Sequence, residues 1–257
     1  MTVIKDIVRY FNEKIPSSLS CAWDNDGLMC CPDESAPVSG VLCALDITDD
    51  VIHEAEALGF NLILTHHPLL FRPIRSVLPS QPSARYVISL ISKEISVLSY
   101  HTRLDAVEGG VNDQLAALFR AQIIGCFGPE GEEVGRMVRL PTPLTAKDFA
   151  DHVKRTLKCP SITLVNPEKS VKTVAVVGGE GRDYISPAIS CGADIMLTGN
   201  VGYHGMLDAA AQGLAVIEAG HDYTERIIAS WLYREIQKEF PALSAAISEI
   251  PSPIVYL

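Results

Sequence analysis

Short apolar runs and helical stripes alternate along this chain. Runs at 41–45, 61–65, 95–100, 171–177, 194–198 and 214–218 read as buried strands. Helical spacing covers 49–58, 83–93, 111–119, 145–157, 183–190, 205–211 and 224–240. Near the start, Val3, Ile4, Ile7, Val8 and Phe11 share one helical face and predict a further helix. Strands that alternate with helices predict mainly parallel sheets with crossover helices, an α/β fold.

The pattern also repeats at a fixed offset of 133 residues. Val41 aligns with Val174, Ile52 with Ile185, Ala55 with Ala188, Gly59 with Gly192, Leu64 with Leu197 and Thr65 with Thr198. Both halves run strand, turn, helix, Gly, strand, Leu-Thr. This predicts two related α/β lobes, 1–125 and 126–257, joined through a stretch at 125–144 that holds Gly128-Pro129, Gly131, Pro141 and Pro143. The strand ends differ between the halves: His66-His67 of the first falls opposite Gly199-Asn200 of the second. Open parallel sheets bind ligands beyond the carboxyl ends of their strands. A site that draws unequally on the two lobes, at their interface, is therefore expected.

Composition narrows the class. The chain has 257 residues, 47% apolar and 20% charged, with a mean hydropathy of +0.19. That is a globular composition with a large core, or with extra apolar surface to bury between subunits. A net charge of −10 argues against general nucleic-acid binding. The start carries Lys5, Asp6, Arg9 and Glu13 and lacks a signal-peptide core; no uncharged stretch is long enough to span a bilayer. A cytoplasmic protein is expected. The seven cysteines fit neither a disulfide framework nor a CxxC zinc site, and read as reduced, mostly buried thiols.

The chemistry-bearing residues gather at predicted strand ends. His66-His67 closes a buried run and is followed by Pro68; side chains that alternate along a strand would reach two different ions rather than one. His101 ends another run, with Asp105 four residues on. His221 begins a helix after the last run, and Glu225, Ile228 and Leu232 share one stripe of it, placing a carboxylate on an apolar face. Each has an ordinary alternative: His101 as a satisfied core histidine, Asp105 as a turn residue or cap, and Glu225 as an acid at a helix N-terminus. Together, three histidines and two carboxylates suit two divalent ions. Neutral His66, His67 and His221 with ionised Asp105 and Glu225 would leave such a site positive and attractive to an anion. His53 and His152 lie in polar helical stretches and read as solvated, while His204 is a candidate pocket residue. Gly178-Gly179-Glu180-Gly181 follows a strand but lacks phosphate-loop spacing, so a tight turn is expected.

These motifs carry a family resemblance. Trp23-Asp24-Asn25-Asp26-Gly27-Leu28, Ala44-Leu45-Asp46-Ile47-Thr48, Leu64-Thr65-His66-His67-Pro68-Leu69, His101-Thr102-Arg103-Leu104-Asp105-Ala106, Gly109-Gly110-Val111-Asn112-Asp113, Leu197-Thr198-Gly199-Asn200 and Gly220-His221-Asp222-Tyr223-Thr224-Glu225 run in order over nearly the whole chain. The chain resembles the Nif-three-like dinuclear metal-centre proteins, often labelled GTP cyclohydrolase 1 type 2 homologues. The resemblance implies two α/β lobes, a metal pair between them and a homohexamer. It implies His66, His67, Asp105, His221 and Glu225 as ligands, with Glu225 bridging, His67 and Asp105 on one ion, and His66 and His221 on the other. His101 is then a catalytic pocket residue, a general acid or a phosphate-holding group. Arg103 and Asn200 depart from the family pattern close to the expected pocket.

The expected function is a metal-dependent hydrolase that acts on a small anionic substrate, a nucleotide or phosphoester, through a metal-bridging hydroxide. The metals would be two divalent ions, with zinc, iron, manganese and nickel all suited to the donor set. The alternative is a non-catalytic metal-binding scaffold or regulatory protein.

Overall fold

The computed structural model describes residues 1–255. In chain order the first elements are α1 (Ile4–Lys14), β1 (Gly27–Cys30), β2 (Val41–Ala44), α2 (Asp49–Ala57), β3 (Leu62–Thr65), α3 (Pro82–Ser92), β4 (Ser96–Ser99) and α4 (Thr102–Ala106). There follow α5 (Val111–Ala117), β5 (Gln122–Phe127), β6 (Gly135–Thr145), α6 (Ala146–Leu157), β7 (Thr163–Val165), β8 (Ser170–Val176), α7 (Ile185–Ser190) and β9 (Ile195–Thr198). The chain closes with α8 (Gly202–Ala211), β10 (Ala215–Glu218), α9 (His221–Glu225), α10 (Ile227–Glu239) and β11 (Ala245–Ile247). Every strand expected from an apolar run is present within a residue or two of its expected ends.

Two compact units result. The first comprises Met1–Leu104 and Ile228–Pro251; the second comprises Asp105–Ile227 with a short segment from Ser252. The division therefore falls at Leu104, not near 125, and the C-terminal helix returns to the first unit. The reason is local: β11 pairs in parallel with β2. In addition, Glu235 on α10 holds Lys14 Nζ at 2.7 Å and accepts from Tyr10 Oη at 2.9 Å. The stretch 125–144, expected to join the lobes, is instead largely sheet. β5 and β6 form an antiparallel pair there, and Pro141 and Pro143 sit where the β6–β8 register breaks between Arg139 and Leu144. A missing N–H is tolerated where the ladder is already interrupted.

Among the described residues, the first unit's sheet runs β1-β4-β3-β2-β11 and the second's β5-β6-β8-β9-β10-β7. The first has four parallel strands, β4-β3-β2-β11, and the second three, β8-β9-β10; each carries a short antiparallel edge strand, β1 on β4 and β7 on β10. The sequence echo extends to register. β2 pairs with β3 through Val41–Leu62, Leu42–Ile63 and Cys43–Leu64; β8 pairs with β9 through Val174–Ile195, Ala175–Met196 and Val176–Leu197, each residue displaced by 133. Gly59 and Gly192 both take positive φ, +68° and +75°, ending α2 and α7 in a conformation that glycine adopts without strain. The cores are separate in sequence terms as well. Leu42, Ile52, Ile63 and Val97 pack in one unit, and Leu115, Phe149, Val174, Leu197 and Ile217 in the other.

Candidate metal centre

In the first unit, β3 ends at Thr65, and His66 and His67 lie just beyond it. The chain has left the sheet there, so strand alternation no longer separates the two rings; their centroids are 5.1 Å apart. β4 delivers His101 to the same place, with its ring 5.3 Å from His66 and 5.8 Å from His67. One ring nitrogen from each histidine lies within 4.8 Å of the others, close enough that the three could hold a metal ion.

Each ring is braced from behind through Nδ1. His66 Nδ1 faces the Tyr100 carbonyl oxygen at 3.0 Å, His67 Nδ1 faces Asp46 Oδ1 at 2.7 Å, and His101 Nδ1 faces Asp24 Oδ1 at 2.8 Å. A carbonyl or carboxylate partner fixes the proton on Nδ1 and leaves the Nε2 lone pair outward, the arrangement that metal-ligating histidines use. The Asp24 side chain is fully buried and also accepts from the Thr102 amide and hydroxyl. Burial alone would raise its pKa, but the hydrogen bond and charge of His101 and the two Thr102 donors outweigh that and hold the carboxyl well below the usual carboxylate range.

Arg103 does not face this cluster as the sequence suggested. Its side chain is 3% exposed, pairs with Asp26 at 3.0 Å, donates to Asn12 and to the Ile15 carbonyl, and lies over the Tyr100 ring. Asp26 in turn accepts from the His101 amide at 3.2 Å. The arginine thus braces the loop that presents His101.

In the second unit, His221 opens α9 and Glu225 closes it, one helical turn apart. His221 Nε2 lies 3.0 Å from Glu225 Oε2; His221 is 45% exposed and Glu225 only 5%. The glycine run after β8 is more than a turn. A Cβ on Gly179, whose φ is +64°, would stand 2.2 Å from Glu225 Oε1, and one on Gly178 would stand 3.1 Å from Glu225 Cγ. A side chain at Gly179, already at a positive φ, would displace the Glu225 carboxylate, and one at Gly178 would crowd it, so the glycines form a cradle around that group. Gly178 N donates to Asn112 Oδ1, and Gly179 N to Thr224 Oγ1, fixing the cradle to α5 and α9. Sequence reading noted the glycines but not their partner; a Gly-Gly directly after a buried strand, in a chain with a buried helix-start glutamate, was the available signal.

Asp105 lies on α4 and is 9% exposed. The same short helix is held by Arg136, which donates to the Ala106 carbonyl at 2.7 Å and pairs with Asp113. Asn112 joins this support, donating to the Asp105 carbonyl at 3.4 Å. His204 and Asn200 are exposed, Asn200 donating to Glu180. His53 is exposed as expected, whereas His152 is half-buried, its ring 5.7 Å from that of Phe119. The helix expected over 224–240 is two helices, α9 and α10, separated at Arg226. The Thr224 hydroxyl donates back to the His221 carbonyl at 2.8 Å, a local bond that competes with a continuous helix.

An α/β protein with histidines and carboxylates set beyond the carboxyl ends of its parallel strands is of a class that can hold metal ions. The chain belongs to the Duf34/NIF3 (NGG1p interacting factor 3) family, whose model matches residues 2–253. It is 35% identical over 227 residues to a Clostridium perfringens protein named GTP cyclohydrolase 1 type 2 homolog, covering 86% of each chain. A Streptomyces coelicolor protein of the same name is 31% identical over 236 residues, covering 88% of this chain and 82% of that protein. The fold matches the crystal structure of Staphylococcus aureus hypothetical protein SA1388 with a TM-score of 0.89 at 27% identity, over 99% of each chain. No helix among the described residues is long and apolar enough to cross a membrane.

Proposed function

We propose that this protein is a metal-dependent hydrolase for a small anionic substrate, a nucleotide or phosphoester. Its ligands to two divalent ions would be His66, His67, Asp105, His221 and Glu225. The observation that carries this reading is the set of three histidines with every Nδ1 occupied from behind and one nitrogen of each within 4.8 Å of the others. The glycine cradle shaped around Glu225 supports it independently. Imidazole and carboxylate donors suit zinc, iron, manganese or nickel. When bound, such ions supply Lewis acidity and neutralise negative charge on the substrate.

The chain's own residues have separable tasks. His66, fully buried, and Glu225 are held rigidly. His67, with 21% of its side chain exposed, and His221 are open to an incoming molecule. His101 is 18% exposed and its Nδ1 is held by buried Asp24, so that as an imidazolium its outer N–H would pass a proton to a leaving group or hold a phosphate oxygen. A homohexamer in the cytoplasm is the working form we propose. Edge strand β5 supports assembly, since Ile123 and Ile124 are 42% and 41% exposed.

The test is metal counting and turnover on one preparation. Protein loaded with manganese, iron or zinc is expected to carry two ions per chain and to hydrolyse a member of a nucleotide and phosphoester panel. His66→Ala is expected to lose both while keeping its circular dichroism. Full burial of His66 also suits a second reading, in which the ions only brace the fold. Two ions, a lower Tm on chelation and no turnover across the panel would establish that reading instead.

A further inference from the structure

Two large aromatic rings of the first unit are left in solvent beside the histidine cluster. Trp23 is 53% exposed and Phe71 46%. Both stand edge-on to His101, with centroids at 6.2 and 5.9 Å and interplanar angles of 74° and 86°. They stand edge-on to one another at 6.0 Å and 76°. Their positions are fixed. Asp24, the residue after Trp23, is buried under His101 and Thr102, and Asn25 donates to the Leu70 carbonyl, tying the two loops together.

The segment that carries Phe71 is also basic. No acidic residue occurs from His66 to Lys93, in a chain of net charge −10, and exposed Arg72 and Arg75 closely follow Phe71. Rings held with exposed faces accept a planar π-system at small entropic cost, and Trp does so best. A bare phosphoester would engage the histidines and leave the rings idle.

We infer that Trp23 and Phe71 form a stacking subsite for the aromatic ring of an anionic ligand, so that the ligand class is a nucleotide, not a simple phosphoester. This rests on the reading that the histidine cluster takes an anionic substrate. One side of the ligand supplies phosphate to the histidines, and the other lays a heterocycle face-on against one of the two near-perpendicular rings and edge-on to the second.

Fluorescence tests it. The chain has two tryptophans, and Trp231 is buried at 7% exposure, so Trp231→Phe leaves Trp23 as the reporter. This variant, loaded with manganese-free zinc, is titrated with guanosine monophosphate and with ribose 5-phosphate, and binding is followed in parallel by calorimetry. Guanosine monophosphate is expected to quench saturably and ribose 5-phosphate to bind without quenching. Phe71→Ala is expected to weaken the nucleotide about tenfold or more, the usual worth of one stacked base, and to leave ribose 5-phosphate unchanged. Equal affinity for the two ligands, insensitive to Phe71→Ala, overturns the stacking site and leaves the anion reading standing. Binding of neither ligand overturns both. A Trp23→Ala/Phe71→Ala protein that changes sedimentation but not nucleotide affinity shows that the rings are a contact between copies, and likewise overturns the subsite.

Discussion

Asp24 is the carboxylate on which His101 leans. Its folded-state carboxyl binds protons less readily than in the unfolded chain, so its ionisation stabilises the fold at any pH above about 4. That contribution is lost as the pH falls below the ordinary carboxylate value toward the folded one. Asp24→Asn is expected to cost about 1–3 kcal/mol near pH 7, with the gap from the unaltered protein closing on acidification below about pH 4. Urea melts across that range measure it. Gly179 offers a sharper probe. Gly179→Ala sets a Cβ against Glu225 in a strained backbone, and is expected to lose about 1–3 kcal/mol and the ability to take up metal. Gly59→Ala meets nothing within 4 Å, so only its φ is strained, and metal uptake should be retained. His66, His67, His101 and His221 stood out in the sequence because they close buried runs. Asp24 and Gly179 did not, because nothing local shows which partner a carboxylate or a glycine will meet.

Elements were readable wherever burial was complete. β2, β3, β4, β8, β9 and β10 are each built around a short apolar run, since parallel strands largely covered on both faces favour one, although β4 begins and ends in serine and β8 carries Lys172 and Thr173. β5 and β6 were missed for the opposite reason. β5 is exposed along all but its last residue, and β6 alternates arginines and prolines with apolar residues. β7 and β11 have three residues each, too few for any period. The repeated register makes a quantitative claim. Leu64 and Leu197 occupy equivalent, fully buried positions on β3 and β9. Leu64→Ala and Leu197→Ala are therefore expected to destabilise by similar amounts, about 2–5 kcal/mol each, in denaturant titrations of the intact chain.

At the level of the whole molecule, the C-terminal helix ties the end of the chain to its beginning. Truncation before α10 would strip Glu235 from Lys14 and Tyr10 and remove β11 from the sheet, so such a protein is expected to lose the first unit's cooperative melt. On the edge of the other sheet, the proposed assembly predicts that Ile124→Lys will reduce the sedimentation coefficient while leaving the circular dichroism intact.

The offset that relates the sheets pairs His66 with Gly199. A side chain at 199 has no room: its Cβ would fall 2.6 Å from the Gly179 oxygen and 2.7 Å from the His221 Cα. The two strand ends are therefore not interchangeable: a histidine fits after β3, whereas after β9 the backbone of Gly179 and His221 fills the place that any side chain would need.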